Sequence, residues 1–159
     1  MRLITYYRLI KWHVLTWSKL LISREDLIKP YKMMVSVTNL CNSRCKTCFI
    51  WQEGINSDSS IQEFDLDDIE KVFDLLADSL LWLSFTGGEP VLKIEKIRVI
   101  LNLAKNKCPN LSLVAFTTNG YKLPKRAQDF HTPNLGSVSA VFSIASWPET
   151  CGALGSIRP

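Results

Sequence analysis

Apolar residues at the start of the chain recur at spacings of four and three: Leu3, Tyr7, Ile10, Val14, Trp17 and Leu21. That stripe predicts an amphipathic helix. After Lys29-Pro30 the pattern shifts to a short apolar run over residues 33–37, a strand that leads into a polar, cysteine-bearing loop. Asp65 then reads as the N-cap of a helix presenting Leu66, Ile69, Phe73 and Leu76, with Asp67, Asp68 and Glu70 where the helix dipole favours negative charge. Residues 81–85 form a second strand. Ile94, Ile97, Ile100, Leu101 and Ala104 form a second such helix, which Cys108-Pro109 ends. A third strand over 111–116, a short helix over 124–130 and a fourth strand over 138–144 complete the pattern.

Strands alternating with amphipathic helices argue for an α/β protein built of βα units, with a parallel sheet and right-handed crossovers. Residues 1–30 are expected to be the N-terminal helix and its linker, and 31–159 the α/β domain. After Ile144 the chain carries Ser146, Pro148, Gly152, Gly155 and Ser156 without helical period. A sheet ending on a fourth parallel strand leaves an edge uncovered, so the expected architecture is an incomplete, truncated parallel βα barrel, a fragment of a larger product.

With 47% hydrophobic and 21% charged residues, the composition is that of a folded domain and excludes a disordered or fibrous chain. A net charge of +4, with Lys and Arg interspersed among Asp and Glu, gives no case for a nucleic-acid partner. Arg2, Arg8, Lys11 and Lys19 interrupt the N-terminal apolar segment, leaving uncharged runs too short to cross a bilayer. Residues 1–22 therefore either dock on the domain or a partner, or lie on a membrane surface as a peripheral contact. Three of the five cysteines crowd into eight residues, which suits ligation in a reducing, cytoplasmic setting better than a disulfide framework.

Those three, Cys41, Cys45 and Cys48, sit at spacings of four and three in a loop leaving a strand. Three thiolates can hold three irons of a cubane cluster and leave the fourth open. A structural zinc module is the alternative, but it needs a fourth ligand and normally uses paired Cys-x-x-Cys units. Thr86-Gly87-Gly88-Glu89-Pro90 follows the second strand, and its glycines permit close backbone approach beside a carboxylate able to accept from an ammonium group. Thr117-Thr118-Asn119-Gly120 ends the third strand and Ser143 lies at the end of the fourth. Each motif thus falls at the C-terminal end of a parallel strand, the rim where such sheets assemble their sites.

The cysteine triplet with its upstream strand resembles the signature of the radical S-adenosylmethionine enzymes, over roughly residues 32–144. The resemblance implies a [4Fe-4S] cluster on Cys41, Cys45 and Cys48, with S-adenosylmethionine chelating the open iron. Gly87, Gly88, Glu89 and Pro90 would hold the methionyl amino end, Thr118 and Asn119 would lie near the nucleoside, and Ser143 near the ribose. It further implies reductive cleavage to a 5′-deoxyadenosyl radical that abstracts hydrogen from a small-molecule or peptide substrate, with flavodoxin or ferredoxin as reductant. The fold implied is an incomplete barrel, of which about four of six βα units are in this chain. Thr47 replaces the family's usual aromatic residue, and where many relatives continue as Ser-x-Asp-Gly, His-Asp and Arg-Gly this chain reads Ser143-Ile144-Ala145-Ser146, Cys151-Gly152 and Gly155-Ser156, without the acidic, imidazole and guanidinium groups of those motifs. A cluster-binding but catalytically inactive fragment is the corresponding alternative. Cys108 is expected to be a small core residue, and Cys151 alone makes no second cluster.

Overall fold

Residues 3–22, 28–45, 48–52, 64–120 and 139–144 are described in a computed structural model, and the helix expected over 124–130 and the tract 145–159 lie outside them. The strands are β1 (Lys32–Ser36), β2 (Trp82–Thr86), β3 (Leu113–Thr118) and β4 (Ser139–Ile144), all parallel and ordered β1-β2-β3-β4. Strands adjacent in sequence are adjacent in space, which is the winding of a βα sheet that advances in one direction. The described part is open, so the sheet bears out the α/β reading, while closure into a barrel is not part of it.

Register explains the core. Val35, Phe85 and Phe116 form one row across the sheet, and Met33, Leu83 and Val114 the next. Because side chains alternate along a strand, these six share a face. Helices α2 (Leu66–Leu76) and α3 (Ile94–Lys107) cover it with Ile69, Phe73, Ile97, Ile100, Leu101 and Ala104. Burying each large aliphatic or aromatic side chain contributes about 1.5–3 kcal/mol relative to exposure. On the opposite face Met34, Ser36 and Thr117 are exposed and Ser84 is buried. Lys32, Trp82 and Leu113 lie on the same face towards the N-terminal ends of the strands, so its small polar residues gather towards the C-terminal rim.

Local signals set the helix ends. Asp65 stands at the N-cap, as expected, and its carboxylate accepts from Leu66 N–H at 2.6 Å, the first N–H of the helix rather than the second or third. Lys107, in the last turn of α3, bridges Asp74 and Glu70 of α2 at 2.6 and 2.9 Å, tying the two helices together at the surface. The strands begin one or two residues later than expected at β2 and β3. Leu80, Leu81 and Leu111 are buried but precede the ladder, so the apolar run outlasts the strand.

Helix α1 (Leu3–Leu21) forms where periodicity placed it. It meets the body at the N-terminal ends of the strands: Arg8 Nη1 donates to Asn110 O at 3.1 Å and Ser112 Oγ at 2.9 Å, and Trp12 packs on Tyr31 with ring centroids 4.2 Å apart.

Cys108, the C-cap of α3, is buried in the core, and burial pushes its thiol up to about 11 from the ordinary 9.0. Below pH 9 the thiol is protonated in both folded and unfolded chains. Between pH 9 and 11 the unfolded chain releases this proton first, so stability should fall as pH rises through that window. Urea-unfolding midpoints across it should drop less in Cys108→Ala than in the parent. Equal slopes would contradict the assignment.

Candidate functional site

The site is built at the C-terminal rim of the sheet by three chain segments that bond to one another. Beyond β1 the ladder runs one residue further, with Val37 N–H donating to Thr86 O at 2.9 Å. Gly88 N–H then donates to Thr38 O at 2.7 Å, and Glu89 N–H to Leu40 O at 2.8 Å. The glycine turn after β2 is therefore clamped to the strand-exit segment that leads straight into Cys41. Glycine is required at both positions. Gly87 has φ +128°, and a Cβ there would lie 2.4 Å from Thr38 O; a Cβ on Gly88 would lie 2.2 Å from Leu40 O.

Glu89 is 1% exposed and turned into the protein. Its Oε1 accepts from Thr118 Oγ1 at 2.7 Å and Val91 N–H at 3.2 Å, and its Oε2 accepts from Asn119 N–H at 2.8 Å. The bond to Val91 caps a single 3-10 turn, Pro90–Lys93, whose Pro90 stands first, where no N–H is needed. One side chain thus joins the ends of β2 and β3. Asn119 extends the network: its Nδ2 donates to Asn42 Oδ1 at 2.8 Å and Ser43 Oγ at 2.9 Å, inside the cysteine loop. Gly120, at φ +78°, takes the left-handed position that ends this motif.

The loop also folds on itself. Cys48 N–H donates to Cys45 O at 3.1 Å, Arg44 Nη1 to Cys41 O at 2.9 Å and Trp51 Nε1 to Cys45 O at 3.0 Å, with the Arg44 guanidinium over the Trp51 ring. Ser43 N–H donates to Cys41 Sγ at 3.4 Å. Burial pushes the Cys41 thiol up, and that N–H acts in the opposite direction. Cys41 and Cys48 are free thiols. Among the described residues no three of His, Cys, Asp and Glu are gathered closely enough to hold a metal ion. The donor chemistry nevertheless fits a thiolate-ligated cluster: soft sulfurs share one loop, a backbone N–H is directed at sulfur, and the buried Asn42 Nδ2 has no partner of its own.

Of the residues singled out from sequence, the structure brings Gly87, Gly88, Glu89, Thr118 and Asn119 together around the base of the cysteine loop. Pro90 is buried beside them. Ser143 lies in register with Thr117 on the neighbouring strand, near the same rim. Sequence reasoning missed Thr38, Asn42 and Ser43. Their only signal was position, as small polar residues flanking the first cysteine.

Residues 32–139 match the family described as a 4Fe-4S single cluster domain. GTP 3′,8-cyclase of Shewanella denitrificans is 33% identical over 108 residues, covering 67% of this chain and 31% of that protein. The GTP 3′,8-cyclase of Yersinia pestis is 32% identical over 114 residues, 70% of this chain and 33% of its own. That of Clostridium acetobutylicum is 32% identical over 111 residues, 67% and 33%. The chain thus spans about a third of the length of these relatives. A family match over that span, together with cysteine and glycine motifs that meet at one rim, shows that the chain belongs to the 4Fe-4S single cluster domain family and is an N-terminal part of the radical S-adenosylmethionine superfamily, whose cofactors are a [4Fe-4S] cluster and S-adenosylmethionine.

Proposed function

We propose that Cys41, Cys45 and Cys48 hold the [4Fe-4S] cluster and that Gly87, Gly88, Glu89 and Pro90, with Thr118, Asn119 and Ser143, bind S-adenosylmethionine beside it. The reaction proposed is reductive cleavage of the cofactor for hydrogen abstraction from substrate. The observation carrying this reading is the network in which Glu89, Thr118, Asn119, Asn42 and Ser43 join three separate strand ends under the cysteine loop. When bound, the cluster supplies the electron and the cofactor the hydrogen-abstracting group.

The chain's own contribution is placement. The clamp of Gly88 and Glu89 on Thr38 and Leu40 fixes where the loop leaves the sheet, and so where its first sulfur stands. Glu89 receives three hydrogen bonds, and a carboxylate offers about four lone-pair sites, which leaves one for an ammonium group. Ser36 and Thr117, at the C-terminal ends of β1 and β3, lie near the rim where a barrel of this type would hold substrate. The substrate itself, a small molecule or a peptide, is left unassigned, because the relatives' GTP chemistry belongs to proteins of which the matched span is about a third. A flavodoxin or ferredoxin in the cytoplasm is the reductant proposed.

The test is anaerobic reconstitution with iron and sulfide under a thiol reductant, read by Mössbauer spectroscopy. Electron paramagnetic resonance of the reduced cluster with and without S-adenosylmethionine follows, and then a 5′-deoxyadenosine assay with dithionite. A [4Fe-4S] spectrum perturbed by the cofactor, with 5′-deoxyadenosine formed, is expected. A cluster without product would make this chain an inactive cluster-binding fragment. Stoichiometric zinc without iron–thiolate absorption would replace the reading with a zinc module.

A further inference from the structure

The apolar stripe of α1 does not face the body of the protein. Arg8, Leu9, Trp12, Thr16 and Lys19, on one side of the helix, are partly buried. The stripe of Leu3, Tyr7, Ile10, Val14, Trp17 and Leu21 is 62–87% exposed. At 100° per residue the two sets point in nearly opposite directions. A helix fixed by one face thus holds six large apolar side chains outward along its length of about 28 Å. Monomeric proteins rarely leave so continuous an apolar strip uncovered.

Charge identifies what covers it. Residues 1–22 contain Arg2, Arg8, Lys11 and Lys19 and no Asp or Glu, whereas the rest of the chain carries as many basic as acidic residues. The whole net charge of +4 therefore lies in this segment, with Lys11 exposed and Arg8 and Lys19 on the side towards the body. A second copy would set the same basic helix against itself, while an anionic surface would be attracted to it. Trp17 and Tyr7 on the exposed stripe are the residue types that favour the interface between headgroups and acyl chains. No helix among the described residues is long and apolar enough to cross a membrane, so the geometry is that of a helix lying in the surface plane.

We infer that α1 is a peripheral anchor that seats Leu3, Tyr7, Ile10, Val14, Trp17 and Leu21 in an anionic lipid bilayer. The anchor meets the body beside Tyr31, Asn110 and Ser112, at the N-terminal ends of β1 and β3, while the cysteine loop, Glu89 and Asn119 lie at the C-terminal rim. Membrane attachment therefore leaves the cofactor site facing the aqueous phase. This inference is independent of whether the cluster forms.

Flotation of the full chain with phosphatidylglycerol–phosphatidylcholine vesicles tests it. The chain should float with anionic vesicles, bind pure phosphatidylcholine at least about tenfold more weakly, and dissociate as salt rises. Val14→Glu combined with Trp17→Glu should lower binding to the anionic vesicles at least about tenfold, and Lys11→Gln about fivefold. Because these side chains are exposed, circular dichroism should show the fold unchanged. No flotation with anionic vesicles overturns the inference, as does flotation that survives the double substitution. Sedimentation showing self-association that the double substitution abolishes would instead make the stripe a contact between copies and also overturn it.

Discussion

Replacing Gly88 by alanine is expected to lower the unfolding free energy by roughly 3 kcal/mol or more, a loss at the severe end for one added methyl group. The new Cβ would stand 2.2 Å from Leu40 O, 2.6 Å from Leu40 C and 2.8 Å from Asn39 O. All three are backbone atoms, so no flexible side chain can swing aside. Relief requires the two segments to part by about 1 Å, which strains the bonds from Gly88 N–H to Thr38 O and from Glu89 N–H to Leu40 O. Leu40 adjoins Cys41, so the displacement passes directly to the first cysteine. Urea denaturation should show the lost stability, and iron content after reconstitution should fall even at temperatures where the variant remains folded. A Gly88→Ala protein within about 1 kcal/mol of the parent would mean that the clamp is looser than its distances indicate.

That clamp marks the boundary of what the chain discloses by pattern alone. Periodicity and capping were sufficient for α2 and α3, because Asp65 and the spacing from Leu66 to Leu76 are local signals read by local physics. The strand order followed from alternation of βα units. Strand starts were less legible: Leu80, Leu81 and Leu111 are buried for tertiary reasons before any ladder forms. The stripe on α1 announced a helix but not which way it faced. Packing was decided by Arg8 and Trp12 finding partners at Asn110, Ser112 and Tyr31, and no hydrophobic count contains those contacts. The site motifs were visible as motifs, yet the bonds joining them span 29 to 77 positions in sequence. Glu89 shows the difference most clearly. Its neighbours suggested a carboxylate able to accept from a ligand, and no local pattern disclosed that Val91, Thr118 and Asn119 donate to it as well.

Glu89→Ala is accordingly expected to destabilise the fold by roughly 3–5 kcal/mol, and to do so through the groups left behind rather than through lost charge. Removing the carboxyl group strands the Thr118 hydroxyl and the N–H groups of Val91 and Asn119. Each unsatisfied buried donor costs about 1–3 kcal/mol, reduced where water enters the space vacated. Glu89→Gln separates shape from acceptor capacity. Its amide nitrogen must replace either Oε1 or Oε2. In the Oε2 place it would confront Asn119 N–H, a backbone donor that cannot rotate away. In the Oε1 place it would confront Val91 N–H, also a backbone donor but the more distant one at 3.2 Å against 2.8 Å, and a Thr118 hydroxyl that can turn. The second arrangement should be adopted, at about 2 kcal/mol. It makes a further expectation: Thr118→Val, costly in the parent because it removes a donor from Oε1, should cost less in the Glu89→Gln background, where that donor is already displaced. Urea denaturation of the four proteins in this double-mutant cycle measures the coupling. Strict additivity would show that the Thr118 hydroxyl and Glu89 do not act as one unit, and the join between β2 and β3 would then rest on Asn119 alone.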